Sequence, residues 1–229
     1  MATSKLERFA EIKTFSNCID ISIDTATKGE FPLRGNWNKD HFKNQLPIIL
    51  ELGCGKGEYT VGLSQKYPQH NFIGLDIKGN RIWVGAKEAL EKKLNNAAFL
   101  RGRIDFIEIA FDKQEVSEIW ITFPDPQPTK KGLRKRLTCP RFLARYKNIL
   151  KPNGVVHLKT DSTLLYEYTL EVIAEYQYKL LDSTNDLYGN AEQNASNENA
   201  RSDVKSIQTY YEKRYLKEGI KINYLKFQF

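Results

Sequence analysis

Hydrophobic and polar positions follow two alternating patterns from about residue 47 to the end of the chain. Short apolar runs rich in Ile, Val, Phe or Leu are typical of buried strands. Longer amphipathic stretches separate these runs, which is the pattern of βαβ units that form a mainly parallel sheet. The predicted strands are Ile48–Leu52, Asn71–Asp76, Ala97–Arg101, Ser117–Phe123 and Gly154–Thr160.

The amphipathic stretches predict helices between these strands. One helix follows the glycines near residue 55 and ends before Pro68, and another ends at a Lys-Pro-Asn-Gly turn. The last ten residues alternate apolar and polar side chains, which predicts a closing strand antiparallel to its neighbours. The fold class is therefore α/β. The predicted helices are Glu58–Lys66, Asn80–Leu94, Arg141–Leu150 and Thr163–Tyr176, and the closing strand is Ile220–Phe229.

Two segments do not follow this pattern. Residues 1–46 contain two short apolar groups without a clear period, and we interpret them as an N-terminal arm. Residues 182–203 contain five asparagines and almost no apolar side chain, so they cannot bury enough surface to become ordered. We expect a mobile loop there, inside a single domain that spans residues 47–229.

The turn after the first predicted strand has the features of a ligand-binding loop. Gly53, Gly55 and Gly57 lie between a strand and a helix, where glycine lets the backbone approach a ligand closely. The third glycine comes one residue earlier than in the dinucleotide-binding pattern. Glu51 would repel a pyrophosphate but would attract a cationic amino group. S-adenosylmethionine has such an amino group and no phosphate, so it is the predicted cofactor.

Two further acids follow the next two strands. Asp76 ends the second strand, where a carboxylate can accept hydrogen bonds from both ribose hydroxyls. Asp105 follows the third strand, in position to meet an adenine amino group. The alternative roles are a helix N-cap for Asp76 and a turn residue for Asp105. Three acids at successive strand ends nevertheless form a coherent nucleoside site.

The fourth strand leads into the segment Phe123–Pro128, which contains three prolines. Prolines fix the backbone, so they would hold Asp125 rigidly at the edge of the sheet where ligands bind. Asp125 is therefore the candidate catalytic residue, and a stiff surface turn is the alternative. The basic segment Lys130–Arg136 follows directly. In a chain with a net charge of +7 and a pI near 9.1, this segment points to phosphate contacts and to a nucleic-acid partner, although a solvated surface is its other interpretation.

Other classes of function are disfavoured by the composition. The apolar runs are much shorter than the roughly 20 residues of a membrane-spanning helix, and the first residues lack the apolar core of a secretory signal. The three cysteines show no metal-binding spacing, so we expect no metal site. We interpret Cys54 as a small loop residue and His157 as a core residue. A cytoplasmic protein, either a monomer or a homodimer, is expected.

With these residues assembled, the chain resembles the bacterial tRNA (guanine-N7)-methyltransferase family. The resemblance extends from about Ile48 to Glu212, which is most of the chain. The glycine loop is shared with many methyltransferases, whereas the Phe-Pro-Asp-Pro segment together with the late Thr-x-x-Glu segment is far more specific. The resemblance rests on Glu51–Gly57, Asn71–Asp76, Phe123–Pro126, Leu150–Gly154, Lys159–Asp161 and Thr209–Glu212.

The resemblance implies a Rossmann-like class I methyltransferase fold with helices on both faces of the sheet. It also implies methyl transfer from S-adenosylmethionine to N7 of guanine at position 46, in the variable loop of tRNA. Glu51, Gly53, Gly55, Asp76, Asp105 and Asp125 would line the cofactor site, with Asp125 central to catalysis. The residues that would contact the substrate are Lys130, Asp161, Thr209, Tyr211 and Glu212.

The chain departs from the family pattern at three positions. Gln127 replaces a common Trp, Thr129 stands where a lysine is expected, and Asp76 replaces the more frequent glutamate. Lys130 is assigned to the substrate for this reason. Thr209 and Glu212 also form a predicted capping box, a role compatible with substrate contact. Two alternative functions stay open at this point, an exocyclic-amine nucleic-acid methyltransferase and a noncatalytic RNA-binding protein on the same scaffold.

Overall fold

The computed structural model describes residues 4–189 and 204–229, which form one eight-stranded sheet with helices on both faces. The strand order is β1-β4-β3-β2-β5-β6-β8-β7, and the first six of these strands are parallel. The last two pairings, β6 with β8 and β8 with β7, are antiparallel. The strands of the described residues, numbered along the chain, are β1 (Cys18–Asp20), β2 (Ile48–Leu52), β3 (Asn71–Asp76), β4 (Ala97–Arg101), β5 (Val116–Thr122), β6 (Leu150–Thr160), β7 (Lys179–Thr184) and β8 (Asn223–Gln228).

The helices cover both faces because adjacent residues of each buried strand point in opposite directions. In β2, Ile49 packs in a cluster with Tyr59 and Leu63, whereas Leu50 packs in a separate cluster with Leu143. The predicted fold class is confirmed, including the antiparallel strand near the C-terminus. The α-helices among the described residues include α1 (Lys5–Glu11), α2 (Ile23–Lys28), α3 (Glu58–Lys66), α4 (Gly79–Glu91), α5 (Ile107–Ala110), α6 (Pro140–Ile149), α7 (Thr163–Glu175) and α8 (Tyr210–Lys217).

Strand order reverses beside β2, and this determines where a ligand can bind. The chain runs from β2 to β3 and β4 on one side, and β5 and β6 lie on the other side. In sheets of this kind, ligands bind in the crevice outside the carboxyl ends of the strands at such a switch point. The loops that follow Leu52, Asp76, Arg101 and Thr122 meet at this edge.

The N-terminal residues are part of the domain and do not form a separate arm. Strand β1 pairs in parallel with β4, with Cys18 opposite Phe99. Trp37 is fully buried, stacks on Phe111 with ring centroids 5.5 Å apart, and donates its indole N–H to the carbonyl of Ala110 at 2.9 Å. The sequence did not predict these elements because a strand of three residues is too short to show a period.

The predicted mobile loop at residues 182–203 begins too early. Strand β7 continues to Thr184, and Leu187 is fully buried. The backbone N–H of Leu187 donates to the carbonyl of Ile222 at 2.7 Å. Residues 190–203, which make up the rest of the predicted loop, lie outside the described residues. None of the helices described here is both long and apolar enough to cross a membrane.

Candidate functional site

The glycine loop after β2 requires glycine at three positions. Gly53, Gly55 and Gly57 have φ values of 73°, 57° and 74°, in the left-handed region that other residues rarely adopt. A side chain on Gly57 would also place its Cβ only 2.5 Å from Cε1 of Phe99, whereas a Cβ on Gly53 would meet no atom within 4 Å. The third glycine therefore serves close packing, and the first leaves open space for a ligand.

Glu51 lies at the base of this loop and is held by two threonines. One carboxylate oxygen accepts hydrogen bonds from the backbone N–H of Thr60 at 2.9 Å and from its hydroxyl at 2.5 Å. The other oxygen accepts a bond from the hydroxyl of Thr122 at 2.7 Å. Thr60 is in the first turn of α3 and Thr122 ends β5, so residues of three elements meet at this carboxylate.

The carboxylate of Glu51 is buried, with only 4% of the residue exposed. Burial raises its pKa from 4.5 to about 7, and the three hydrogen bonds oppose this rise. No lysine or arginine among the described residues forms an ion pair with it. The pocket beside it, of about 190 Å³, is lined by Glu51, Gly53, Cys54, Gly55, Lys56, Glu58, Arg81, Thr122, Phe123, Thr209, Tyr210 and Tyr211.

Asp76 links the end of β3 to the glycine loop. Its carboxylate accepts a hydrogen bond from the backbone N–H of Gly55 at 3.0 Å and another from the N–H of Lys78 at 2.8 Å. Lys78, and not Asp76, is the N-cap residue of α4. The alternative interpretation of Asp76 as a helix cap is therefore wrong, and its carboxylate instead fixes the loop that shapes the pocket.

A larger cleft, of about 810 Å³, continues from the Glu51 pocket, and Gly53 borders both. Asp76 and Asp105 both line this cleft, so the structure brings these two predicted residues together. The carboxylate of Asp105 is paired with two arginines, Arg141 at 3.0 Å and Arg103 at 3.3 Å. A carboxylate has about four acceptor positions, which leaves positions for a ligand amino group.

The basic segment lines the same cleft only in part. It forms the 3₁₀ turn Lys130–Lys135, from which Lys131, Arg134 and Lys135 border the cleft. Lys130 is exposed but is not one of the lining residues. Arg136 is buried, with 4% exposure, and donates to the carbonyls of Pro126 at 3.1 Å and Gln127 at 3.3 Å. Arg136 therefore holds the proline segment in place, which the sequence pattern did not show.

The proline segment leaves the sheet through a strained residue. Phe123 has a φ of 49° and Gln127 a φ of 46°, both unusual for residues other than glycine. Between them, Asp125 is exposed and accepts a hydrogen bond from the backbone N–H of Gln127 at 3.0 Å. Phe123 lines the Glu51 pocket, whereas Asp125, two residues further along the chain, is not among the lining residues of this pocket or of the larger cleft.

The remaining predicted substrate residues have different environments. Thr209 and Tyr211 line the Glu51 pocket, where Tyr211 is 44% exposed. Asp161 follows β6 and is half-buried, and this burial raises its pKa. Glu212 is fully buried and forms an ion pair with Lys159 at 2.7 Å, so it does not reach the cleft. The predicted capping box of Thr209 and Glu212 at the start of α8 is confirmed.

Two residues interpreted as non-functional have the expected surroundings. Cys54 is buried, and burial raises the pKa of its thiol well above the usual value, so it is not a thiolate nucleophile. His157 is buried between Trp120, whose ring centroid is 3.9 Å away, and Tyr224, whose hydroxyl lies 2.8 Å from Nδ1. In residues 4–189 and 204–229, no group of three or more His, Cys, Asp or Glu side chains is placed to hold a metal ion.

The residues of the site fit S-adenosylmethionine. A buried carboxylate that forms no ion pair within residues 4–189 and 204–229 occupies one end, and acids that can accept hydrogen bonds from a nucleoside lie in the adjoining cleft. Gly53 borders both cavities, and a Cβ at this position would meet no described atom within 4 Å. Lys56 and Arg81, which sequence reasoning missed, line the Glu51 pocket and would suit the carboxylate of an amino-acid ligand.

Comparison with known proteins gives the same result over the whole chain. A family model described as putative methyltransferase matches residues 45–225. The tRNA (guanine-N(7)-)-methyltransferase of Christiangramia forsetii is 49% identical, over 98% of this chain and 97% of that protein. The protein of the same name from Bacteroides thetaiotaomicron is 43% identical, over 100% of this chain and 86% of that protein.

Solved structures support the fold independently. The 16S rRNA methyltransferase KamB has a TM-score of 0.60 at 17% identity, and the match covers 85% of this chain and 94% of that one. An antibiotic-related methyltransferase has a TM-score of 0.60 at 16% identity, over 94% and 97% of the two chains. Likeness at such low identity concerns the fold alone. From the family match and the two close relatives, we conclude that the chain belongs to the tRNA (guanine-N(7)-)-methyltransferase family.

Proposed function

We propose that this chain transfers a methyl group from S-adenosylmethionine to N7 of guanine at position 46, in the variable loop of tRNA. The observation that carries the cofactor half of the proposal is the carboxylate of Glu51, which is buried beside the glycine loop with no ion-pair partner among the described residues. A buried carboxylate without a counter-ion is costly, and a cationic ligand group relieves that cost. Membership of the family supports the substrate half.

The cofactor-binding residues divide between the two connected cavities. Glu51 would accept the amino group, and Asp76 would accept the ribose hydroxyls while it holds the N–H of Gly55. Asp105 would meet the adenine at the far part of the cleft. Gly53 and Gly55 would leave room for the chain of the ligand between these ends. When bound, S-adenosylmethionine supplies an electrophilic methyl group on a positively charged sulfur.

Guanine N7 has a free lone pair at neutral pH, so methylation at this atom requires no general base. The protein must instead hold the nucleophile in line with the methyl group and tolerate the positive charge that moves to the purine. Asp125 suits this task because it is exposed, follows the pocket-lining Phe123 by two residues, and lies on a segment fixed by prolines and by Arg136. We assign Asp125 as the catalytic residue that orients the base and stabilises this charge.

The tRNA would lie across the basic side of the cleft. Lys130 begins the basic segment, and its neighbours Lys131 and Arg134 line the cleft next to Asp105. On the opposite side, Thr209 and Tyr211 border the Glu51 pocket, where an exposed tyrosine can stack on a base. Asp161 is assigned to the target nucleotide as well. A tRNA substrate is consistent with a cytoplasmic enzyme, acting as a monomer or homodimer.

The reaction is tested by incubating the chain with unmodified tRNA and isotope-labelled S-adenosylmethionine, followed by nuclease digestion and mass spectrometry of the nucleosides. The expected product is 7-methylguanosine from the variable loop. A methyl group on an exocyclic amine would replace this proposal with the alternative enzyme. Absence of methyl transfer together with no binding of S-adenosylmethionine in calorimetry would support a noncatalytic RNA-binding protein.

The role of Asp125 is tested by two substitutions. Asp125→Ala should leave cofactor affinity within about twofold and lower kcat by about 100-fold, the scale of one lost electrostatic contact in a transition state. Asp125→Asn removes the negative charge but keeps an oxygen that can accept the hydrogen bond from the N–H of Gln127. Comparing the two variants therefore distinguishes the effect of the charge from the effect of the turn. Normal turnover of the alanine variant would refute this role.

A further inference from the structure

A fully buried ion pair joins the end of β6 to the first turn of α8. Nζ of Lys159 lies 2.7 Å from Oε1 of Glu212, and both side chains have an exposure of 0%. Neither residue lines the Glu51 pocket or the adjoining cleft. Lys159 is the last residue but one of β6, and Asp161 begins the loop that follows this strand at the carboxyl edge of the sheet.

The charged groups of both residues form further hydrogen bonds with other groups of the protein. The ammonium of Lys159 also donates to the carbonyls of Val204 at 2.9 Å and Ile207 at 3.4 Å. Oε1 of Glu212 accepts a hydrogen bond from the hydroxyl of Tyr188 at 2.8 Å, and Oε2 accepts one from the N–H of Thr209 at 3.3 Å. The carboxylate of Glu212 is thus fully enclosed, so in this arrangement it cannot contact a nucleotide.

The position of the pair suggests what it does. A buried ion pair adds little net stability compared with apolar side chains, but it strongly disfavours arrangements in which one charge loses its partner. Here the disfavoured arrangements are those in which the start of α8 moves away from β6. Thr209, Tyr210 and Tyr211, at this start, line the pocket of Glu51. The ion pair therefore fixes the side of the pocket that comes from the C-terminal part of the chain.

We propose that Lys159 and Glu212 are positioning residues, which lock the start of α8 against β6 and so hold Thr209–Tyr211 at the pocket for the target nucleotide. Glu212 acts through this helix and not by touching the substrate. The functional part of this inference rests on the proposed tRNA methylation, whereas the placement of α8 can be measured without any activity. It replaces the substrate contact expected for Glu212 from the sequence.

A double-mutant cycle tests the proposal. The variants are Lys159→Met, Glu212→Gln and the two combined, and Glu218→Gln is the matched control, since it breaks an exposed ion pair with Arg214 on the same helix. Each single variant should lower kcat/KM for tRNA by about 100-fold, as expected when reacting groups are misplaced by about 1 Å. The double variant should lose no more than the worse single variant, because both changes remove the same interaction. The control should keep its activity.

A second measurement separates position from contact. Hydrogen exchange of the Tyr210–Lys217 amides in the free protein should be faster in both single variants and in the double variant, and unchanged in Glu218→Gln. Additive losses of kcat/KM, or an inactive Glu212→Gln variant with normal exchange in α8, would overturn the proposal and indicate direct contact of Glu212 with tRNA. If the single variants do not fold, the double variant decides the question, because it leaves no unpaired buried charge. Normal kcat/KM in the double variant would also overturn the proposal.

The exchange measurement distinguishes this inference from the proposed function. An unmodified chain that does not methylate tRNA would refute the proposed function, while faster exchange of α8 in the variants would still support the lock. Normal methylation by the unmodified chain together with unchanged exchange in all variants would refute the lock alone.

Discussion

Replacing Glu51 with glutamine should stabilise the free protein while weakening its binding of the cofactor. The substitution keeps the shape of the side chain, and the amide oxygen can accept both bonds from Thr60. The hydroxyl of Thr122, which donates to Glu51, can rotate and accept a bond from the new amide N–H. The hydrogen bonds are therefore kept, and only the buried charge is removed.

The size of the effect follows from the pKa of Glu51. Burial raises this pKa from 4.5 to about 7, so the folded protein binds a proton more tightly than the unfolded chain. Because the pKa of Glu51 is higher in the folded protein than in the unfolded chain, its contribution to the free energy of unfolding is most favourable below pH 4.5. This contribution is lost as the pH rises to 7. The loss is about 3 kcal/mol, from 1.36 kcal/mol per pKa unit. Glu51→Gln should recover about 3 kcal/mol at pH 8 and less than about 1 kcal/mol at pH 5.

Urea denaturation of both proteins at pH 5 and pH 8 measures this difference. Glu88→Gln is a suitable control, because Glu88 is in an exposed pair with Lys92 and its replacement should give no pH-dependent gain. An equal gain at both pH values, or none at pH 8, would show that Glu51 is not a destabilising buried charge.

The same titration should appear in cofactor binding. The amino group of S-adenosylmethionine stays protonated below pH 7, since α-amino groups have a pKa of roughly 7.7–8.0. The ionised fraction of Glu51 rises about fivefold between pH 6 and pH 7 for a pKa near 7, and affinity measured by calorimetry should rise equally. In Glu51→Gln the affinity should be lower and should not change over this range.

Three further predictions concern the loop, the N-terminal residues and the basic segment. Gly57→Ala should destabilise the fold by about 3 kcal/mol, and Gly53→Ala by roughly 1–2 kcal/mol, because only the alanine at position 57 adds a clash with Phe99 to the backbone strain. Thermal unfolding of both variants measures this difference, and equal losses of stability would contradict it. Trp37→Ala should cost about 3–5 kcal/mol in urea denaturation, whereas a loss below about 1 kcal/mol would show that residues 4–46 are a detachable arm. In the basic segment, tRNA affinity should depend less on salt in each of the variants Lys130→Gln, Lys131→Gln and Arg134→Gln, with the slope of log affinity against log salt smaller by about one phosphate contact. Lys113→Gln, at the amino end of the sheet, should leave this slope unchanged.

Much of the site could be predicted because its residues follow strand ends. Short apolar runs predict β2 and β3, and the glycines before it and Pro68 after it predict α3, each with the bounds that it has in the structure. Once these elements are known, the carboxyl edge of a parallel sheet must bring Glu51, the glycine loop and Asp76 together. The family resemblance then added the substrate, which the physical pattern alone left open.

The sequence could not predict interactions between distant residues. Arg136 belongs to a run of basic side chains, and only the fold shows that it is buried against the carbonyls of the proline segment. Glu212 has the spacing of a capping box, which says nothing about a lysine on β6. Residues 4–46 contribute a strand of three residues and one buried tryptophan, neither of which produces a periodic pattern.

These differences show that the two sides of the Glu51 pocket are built in different ways. One side follows β2 directly, and the hydrogen bonds of Thr60 and Thr122 fix it without help from the C-terminal residues. The other side is the start of α8, which reaches the pocket through Lys159 and through a bond from the N–H of Tyr210 to Glu58 at 3.0 Å. Loss of the α8 contacts should therefore leave the carboxylate that binds the cofactor in place and remove the surface offered to the nucleotide. The substrate side of the pocket therefore depends on contacts that the cofactor side does not need.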